Sequence, residues 1–282
     1  MTAIPLRIAT CKQLTEPDPD QEVLAAALAA GGFAAGLCGW DDPDHDWDAP
    51  IPTVVRSTWN YPLALDAFRA WIDRASRAAP LINPADVVLG NLHKRYLVEL
   101  AARGVPVVPT TVVERDQPYE LAAIAAESIV IKPEVGAASL GARRFAPDDP
   151  AALAHLVELT ARGAALVQPY FSSVEAYGER SLVWIDGELS HAVRKTPRFT
   201  DESEHVHGSV EITADECEVA IAAIAPLADR ILYARVDLAR DAVGQPRVME
   251  LELIEPSLYF THRPGSAERF VAALARTLRE PR

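Results

Sequence analysis

The sequence is poor in cysteine and has no cysteine motif. Its three cysteines, Cys11, Cys38 and Cys217, occur in none of the short spacings that bind zinc or form a redox pair. A fold built on disulfides is therefore not expected, and the low cysteine content is typical of a reducing compartment such as the cytoplasm. The N-terminus also lacks a basic segment followed by an apolar core, so no secretion signal is predicted.

Basic residues are fewer than acidic ones, and long apolar runs are scarce. The chain has 27 Lys and Arg against 40 Asp and Glu, a net charge of −13. An acidic surface repels phosphate backbones and anionic lipids, which argues against nucleic acid and membrane surfaces as partners. The uncharged stretch 23–40 is interrupted by Gly31 and Gly32, which predicts a short helix and then a strand rather than a membrane span.

The composition is that of a globular protein, and the first part of the chain alternates between strand-like and helix-like segments. Hydrophobic residues make up 49% of the 282 residues and charged residues 24%, enough for one large domain or two smaller ones. The alternation predicts a small, mostly parallel α/β unit that ends near residue 88. Its predicted strands and helices are 6–11, 20–30, 33–40, 52–59 and 63–78.

The rest of the chain is predicted to form antiparallel sheets. Alternating apolar residues around Asp186-Gly187 predict a hairpin over 180–195, and a second hairpin is predicted over 233–255. The polar stretch 197–208 is predicted to be a mobile loop. Helices are predicted over 91–103, 117–126, 148–162, 214–230 and 265–279. We therefore expect an N-terminal α/β domain, ending near residue 88, followed by antiparallel sheets.

The stretch MELELIEP places two acids on one face of a predicted strand. Strand alternation puts Glu250 and Glu252 together, and Asp237 lies opposite on the preceding strand. Two interpretations stay open. The acids can form a solvent-facing surface at modest cost, or they can hold a divalent cation, because Mg²⁺ prefers carboxylates and phosphates as ligands.

A lysine in a hydrophobic strand is followed by a loop of small residues. Lys132 lies within SIVIKPE, and a buried lysine is rare without a partner. The loop after it contains Gly136, Ser139 and Gly141, whose backbone amides can approach an anion closely. The sequence is not a P-loop, and it has no Rossmann fingerprint or nucleophile elbow. The pattern indicates phosphate binding, with a lysine at the polar edge of a strand as the alternative.

Arg56 ends the apolar run TVV at the carboxyl end of a predicted parallel strand. Ligands of open α/β sheets bind at this edge, and an arginine fork can hold both oxygens of a carboxylate. We therefore consider Arg56 a catalytic-site residue that binds a substrate carboxylate, with Trp59 and Tyr61 nearby. The alternative is a buried structural ion pair.

In this order, the elements of the sequence resemble the ATP-grasp superfamily. The matching pieces are HKRYL, VIKPEVGAASLG, LVQPYF, GERSLVWIDGELSHAV and RVDLARDAVGQPRVMELELIEPSLYF, which together span about 190 residues. Within the superfamily, RSTWNY, KRYL and MELELIEPSLYF are most similar to the O-ureido-serine cyclo-ligase group of D-cycloserine biosynthesis. The resemblance implies a two-part grasp fold with antiparallel sheets, preceded by a small α/β domain. The division it implies is 1–88 for the α/β domain, 89–165 for the central lid subdomain and 166–282 for the C-terminal subdomain.

The resemblance implies that the nucleotide is ATP. Lys94 and Lys132 match the two lysines that contact its phosphates, and Glu175 matches the residue that binds the ribose hydroxyls. The segment that reads the adenine edge through its backbone is matched by Gln168, Pro169, Tyr170 and Phe171. Gly136 and Ser139 lie in the loop that follows the second lysine, and this loop and 197–208 are candidate lids.

The resemblance also implies a metal and a reaction. Asp237, Glu250 and Glu252 match the acids that hold Mg²⁺, with Mn²⁺ as an alternative ion, although many relatives carry Asn where Glu252 stands. Arg235 and Lys195 match basic positions that face the γ-phosphate or a developing acyl phosphate. The expected reaction activates a small-molecule carboxylate, an amino-acid derivative, for attack by a nitrogen from the same or another molecule.

Two other interpretations stay open at this point. The chain could be a nucleotide-binding regulatory module without ligase chemistry, or an acidic structural α/β protein in which the order of the motifs is fortuitous. The enzyme is favoured because the three acids are accompanied by Arg235 and Lys195. The sequence also leaves a homodimer open.

Overall fold

Three β-sheets carry the fold in the computed structural model, which describes residues 3–14, 16–121, 124–137, 139–196 and 205–279. The N-terminal sheet is parallel, with strand order β2-β1-β3-β4. Its elements are β1 (Ile4–Thr10), α1 (Gln21–Ala30), β2 (Phe33–Gly39), β3 (Thr53–Val55), α2 (Leu65–Ala78), β4 (Leu81–Ile82) and α3 (Ala85–Asn91). This order confirms the predicted α/β unit.

The glycine pair separates α1 from β2, as the sequence predicts. The backbone N–H of Gly31 donates to the carbonyl of Ala27 at the end of the helix, and Gly32 has a φ of +83°, which favours glycine. The uncharged stretch 23–40 is therefore a helix followed by a strand. Within the described ranges, no helix is both long and apolar enough to cross a bilayer.

The middle sheet is antiparallel, with strand order β5-β8-β6-β7. Its elements, with the helix that precedes them, are α4 (Tyr96–Ala102), β5 (Thr111–Val113), β6 (Ile129–Pro133), β7 (Arg143–Phe145), α5 (Pro150–Thr160) and β8 (Ala165–Pro169). The helix predicted over 117–126 is wrong for 117–120 and 124–126, which are not helical. Pro118 disfavours a helical conformation at Gln117, the residue before it. The predicted helix over 91–103 is shorter than expected, and α3 and α4 enclose a bend that carries Lys94.

The C-terminal sheet is antiparallel, with strand order β11-β10-β9-β12-β13. Its elements are α6 (Ser173–Ala176), β9 (Glu179–Ile185), β10 (Glu188–Thr196), β11 (His205–Val210), α7 (Ala214–Ile224), β12 (Tyr233–Arg240), β13 (Pro246–Glu252) and α8 (Ser266–Arg279). Both predicted hairpins are present, and Asp186 and Gly187 have φ values of +48° and +90° at the turn. The predicted loop 197–208 is partly wrong, since its last residues pair with β10 in β11, while 197–204 lie outside the described residues.

The N-terminal sheet is fastened to the strands that carry the acids. The Asn83 side chain donates to the carbonyls of Tyr233 and Leu253, both at 2.9 Å. The hydroxyl of Tyr233 lies 2.8 Å from the carbonyl oxygens of Val55 and Ile254. A buried amide or hydroxyl group is stable only when it is hydrogen-bonded. The hydrogen bonds of Asn83 and Tyr233 therefore fix the ends of β3, β12 and β13 relative to one another. The domain boundaries stay predictions; the one at 165/166 falls inside β8.

Candidate active site

A cleft between the middle and C-terminal sheets collects most of the predicted site residues. Its walls come from β6, β8, β9, β10, β12 and β13, and the bend between α3 and α4 contributes to one side. The predicted residues that line it are Lys94, Lys132, Gly136, Ser139, Gln168, Pro169, Tyr170, Phe171, Lys195, Arg235, Asp237, Glu250 and Glu252. Arg56 and Glu175 are not among the residues that line this cleft.

The three acids converge because of the β12–β13 register. Asp237 pairs with Glu250 across the hairpin, and Arg235 pairs with Glu252. A bulge leaves Met249 without a partner in the register, and a bulge commonly re-aims neighbouring side chains. One carboxylate oxygen from each of Asp237, Glu250 and Glu252 lies within 4.8 Å of the others.

Basic side chains surround this acidic group. Arg235 holds Asp237 with two hydrogen bonds of 2.9 Å, and Lys195 donates to Asp237 at 3.0 Å. Arg235 also pairs with Glu252, and Lys94 pairs with Glu250. Burial alone would raise the pKa of Asp237, but Arg235 and Lys195 outweigh it and hold that pKa well below its ordinary value.

The donor set fits a hard divalent cation. Burial, together with the charges of Asp237 and Glu250, raises the pKa of Glu252 to about 7 despite its contact with Arg235. Three carboxylates crowded in this way repel each other, and oxygen ligands of this kind are those that Mg²⁺ takes together with substrate phosphates. The arrangement is therefore suited to Mg²⁺ at the edge of the cleft.

Glu134 ties together the two segments that carry the phosphate-matching lysines. It lies two residues after Lys132, and its backbone carbonyl accepts the N–H of Lys94 at 2.9 Å. Its buried carboxylate contacts His93 at 3.0 Å and pairs with Arg95. Among the described residues, Lys132 makes no ion pair, and burial lowers its pKa although Glu250 opposes that effect. A partly buried ammonium without a protein partner is suited to an anionic ligand.

The residues matched to adenine line the cleft, and the residue matched to ribose lies beside them. The Gln168 side chain donates to the Thr110 hydroxyl at 2.8 Å. The guanidinium of Arg144 lies 3.7 Å from the centre of the Tyr170 ring, a cation–π contact. Glu175 is exposed, pairs with Arg144 at 2.7 Å and accepts a hydrogen bond from the Tyr170 hydroxyl at 3.1 Å. Its match to a ribose-binding residue stays a prediction.

Arg56 forms a buried ion pair, which is the alternative to a substrate-binding role. Its side chain is 1% exposed and donates to Asp20 at 2.9 Å and to the carbonyl of Pro256 at 2.6 Å. Both terminal nitrogens of the guanidinium are thus engaged by residues outside the cleft lining, and this arrangement does not support a substrate-binding role for Arg56. Asp20 in turn accepts the backbone N–H groups of Leu258 at 2.5 Å and Phe260 at 2.8 Å.

Glu255 is a cleft residue that the sequence interpretation missed. It lines the cleft three residues beyond Glu252 and is 9% exposed. Burial, followed by the charge of Glu252, raises its pKa to about 8. The signal was present in the sequence as the last acid of MELELIEP, but strand alternation stops at Ile254 and gives no direction for the next side chain.

The raised pKa of Glu255 predicts a pH-dependent stability. Its pKa is about 8 in the folded protein and 4.5 ordinarily, so the folded state binds the extra proton between these values. The favourable contribution is complete below pH 4.5 and is lost as pH rises through 8. We expect Glu255→Gln to raise the unfolding free energy of the metal-free protein by about 1–3 kcal/mol at pH 8, with little change at pH 4.5.

Urea denaturation at both pH values measures this effect. Glu188→Gln is the matched control, because Glu188 is 67% exposed at the start of β10 and is not among the residues that line the cleft. Equal stability of Glu255→Gln and the parent protein at pH 8 would contradict the assignment of a raised pKa.

Comparison with known proteins identifies relatives over nearly the whole chain. The family described as D-cycloserine synthetase DcsG, N-terminal domain, matches residues 6–83. The cycloserine biosynthesis protein DcsG of Streptomyces lavendulae is 36% identical over 290 aligned positions, covering 93% of this chain and 95% of that protein. The crystal structure of D-cycloserine synthetase DcsG superposes with a TM-score of 0.89 at 35% identity, over 97% of this chain and 99% of that one.

A more distant structure shows the same fold. The ATP-grasp ligase PsnB, in a complex with minimal precursor, Mg and ADP, has a TM-score of 0.64 at 16% identity, and the match covers 98% of each chain. The predicted fold class, a parallel α/β unit followed by antiparallel grasp sheets, is thereby confirmed. With the 36% identity over most of both proteins, the chain belongs to the family of the cycloserine biosynthesis protein DcsG and is an enzyme with the fold of the ATP-grasp ligases.

Proposed function

We propose that this enzyme uses ATP and Mg²⁺ to convert a small-molecule carboxylate into an acyl phosphate, which a nitrogen nucleophile then attacks. The observation that supports this is the group of Asp237, Glu250 and Glu252 within 4.8 Å, in one cleft with Lys132, Arg235 and other basic side chains. Such a cleft can bring two anions together, because each is neutralised before they meet.

For the substrate, we propose an amino-acid derivative that closes on itself. The named function of the relatives, cycloserine synthesis, supports an intramolecular reaction. O-ureido-serine is the first compound to test. We also propose that Mn²⁺ can replace Mg²⁺ and that the enzyme works in the cytoplasm, which the free thiols of Cys11, Cys38 and Cys217 support. A homodimer stays a prediction.

The chain's own residues handle the charge of the nucleotide. Asp237, Glu250 and Glu252 would hold Mg²⁺, which when bound screens the phosphates and acts as a Lewis acid at a phosphoryl oxygen. Lys132 supplies an ammonium without a protein ion pair in the described structure, and Lys94 is held beside Glu250. Both lysines lower the repulsion that an approaching carboxylate meets at the triphosphate.

Arg235 and Lys195 organise the centre of the reaction. Both are anchored by Asp237, so their orientations are fixed before a substrate binds. When the carboxylate oxygen attacks the γ-phosphate, a phosphoryl bond forms and ADP leaves, and these two cations face the charge that accumulates. In the second step the nitrogen attacks the acyl carbon, loses a proton and expels inorganic phosphate.

Water has to be kept from the acyl phosphate, because it hydrolyses readily. The loop 135–142, of which residue 138 lies outside the described residues, follows Lys132 and borders the cleft through Gly136 and Ser139. We propose this loop as the lid. The other candidate lid, 197–208, lies outside the described residues over 197–204 and is strand from His205 onward.

Product analysis tests the proposal. Incubation with Mg-ATP and O-ureido-serine should give equimolar ADP and phosphate. Mass spectrometry should show loss of one water from the amino acid on ring closure, and further loss of the carbamoyl group, hydrolysed to ammonia and carbon dioxide, if the product is cycloserine. ADP formation that does not depend on any amino acid, or nucleotide binding without turnover across a panel of carboxylates, would instead support a regulatory nucleotide-binding module.

A further inference from the structure

The cleft contains an acidic side chain that the proposed nucleotide and metal sites do not use. Glu255 is 9% exposed, lies in the cleft wall, and makes no ion pair or side-chain hydrogen bond to any residue in the described ranges. The neighbouring acids differ, since Asp237, Glu250 and Glu252 each meet a lysine or arginine. A carboxylate this deeply buried is stable only when it meets a proton, a cation or hydrogen-bond donors.

The backbone around Glu255 is fixed from several sides. The N–H of Leu253 donates to Asn91 at 2.9 Å, and the carbonyl of Pro256 accepts from Arg56 at 2.6 Å. The Glu255 carbonyl itself accepts from the indole of Trp59 at 3.2 Å. Because the backbone is anchored before and after Glu255, its side chain has little freedom to reach another protein group. A counter-charge for this carboxylate therefore has to be supplied by a ligand bound in the cleft.

The surroundings of Glu255 favour a positive ligand group. Trp59 and Tyr61 line the same cleft, and the buried Tyr61 ring is fixed by stacking on Phe68 at 4.8 Å. Aromatic faces attract cations, and a carboxylate attracts them more strongly. From the sequence, a positive side chain, Arg56, was expected to face the ligand. In the structure Asp20 neutralises Arg56, and the side chain that lines the cleft is the acidic Glu255.

We propose that Glu255 is the specificity residue that binds the ammonium group of the amino-acid substrate. The assignment rests on the proposed function, since it concerns the same cleft and the same reaction. Its raised pKa, about 8, agrees with a carboxylate that lacks its natural counter-charge in the ligand-free protein. A substrate carboxylate would be repelled from this end of the cleft, so Glu255 also orients the carboxylate toward Arg235 and Lys195.

Calorimetric titration tests this role without requiring turnover. The protein is saturated with Mg²⁺ and a non-hydrolysable ATP analogue, then titrated with O-ureido-D-serine or with its des-amino counterpart, 3-(ureidooxy)propanoate. We expect the parent protein to bind the amino acid about 10- to 100-fold more tightly than the counterpart. Glu255→Gln should lose this preference, and Glu255→Asp should retain part of it.

Controls separate the possible outcomes. Glu188→Gln, the same chemical change at an exposed position, should keep the full preference, and melting curves should show that both Glu255 variants are folded. The inference is overturned if Glu255→Gln keeps the preference, or if the parent protein shows none. If the parent prefers the amino acid yet releases no ADP with ATP, the proposed ligase function fails while the ammonium site stands.

Discussion

Glu250→Gln is expected to lower substrate-dependent ADP formation at least about 100-fold, because a neutral amide removes one of the three negative ligands of the metal site. The glutamate is also the ion-pair partner of Lys94, so the amide loosens a phosphate-binding lysine as well. Lys132→Ala is expected to have a similar effect for a different reason, since it removes an ammonium that has no ion pair in the described structure. Coupled-enzyme assays at saturating Mg-ATP measure both losses.

Folding must be unchanged for these results to be informative. Lys132 makes no ion pair within the described residues, so its truncation should leave the melting temperature nearly unaltered. Glu188→Gln should retain full activity, since Glu188 is exposed and is not among the residues that line the cleft. ADP formation within about threefold of the parent in either cleft variant would contradict the phosphate and metal assignments, given the usual size of such effects.

Arg56→Met is expected to destabilise the protein by about 3–5 kcal/mol, because it leaves the buried Asp20 without its counter-charge. Asp20 is 0% exposed and its other contacts are backbone N–H groups of 258–260. The double variant Asp20→Asn with Arg56→Met should recover part of the loss, since neither charge is then buried alone. Urea denaturation of the parent protein, Arg56→Met and the double variant measures these differences in unfolding free energy.

The surface pair of Arg74 and Asp48 supplies the control. Arg74 and Asp48 are 48% and 70% exposed, so Arg74→Met should cost no more than about 1 kcal/mol. Arg56→Met could instead keep full stability and only raise the KM for the amino acid. In that case Arg56 would bind the substrate carboxylate, and its structural role as the partner of Asp20 would be contradicted.

Local patterns in the sequence predicted much of the fold and of the acidic group. Strand alternation has a period of two, so Glu250 and Glu252 had to share a face, and a short hairpin connection placed Asp237 opposite them. The turn at Asp186-Gly187 and the amphipathic helix over Leu65–Ala78 follow from equally local rules. These features depend on neighbours in sequence, and the structure reproduces them.

Features that depend on distant partners could not be predicted. Arg56 is neutralised by Asp20, 36 positions earlier, and donates a hydrogen bond to a carbonyl 200 positions later. The partner of an arginine decides whether it faces a ligand, and no local pattern identifies that partner. Glu255 lies past the end of a strand, where its direction is set by contacts to Trp59 and Arg56 around it rather than by alternation.

A crystal structure with Mn²⁺ and a non-hydrolysable ATP analogue tests the central assignment most directly, because anomalous scattering locates the ion without ambiguity. We expect an anomalous peak about 2 Å from carboxylate oxygens of Asp237, Glu250 and Glu252. Phosphate oxygens should bind the same ion and contact the ammonium of Lys132. An ion or a triphosphate bound outside this cleft, with Lys132 in contact with no phosphate, would contradict it.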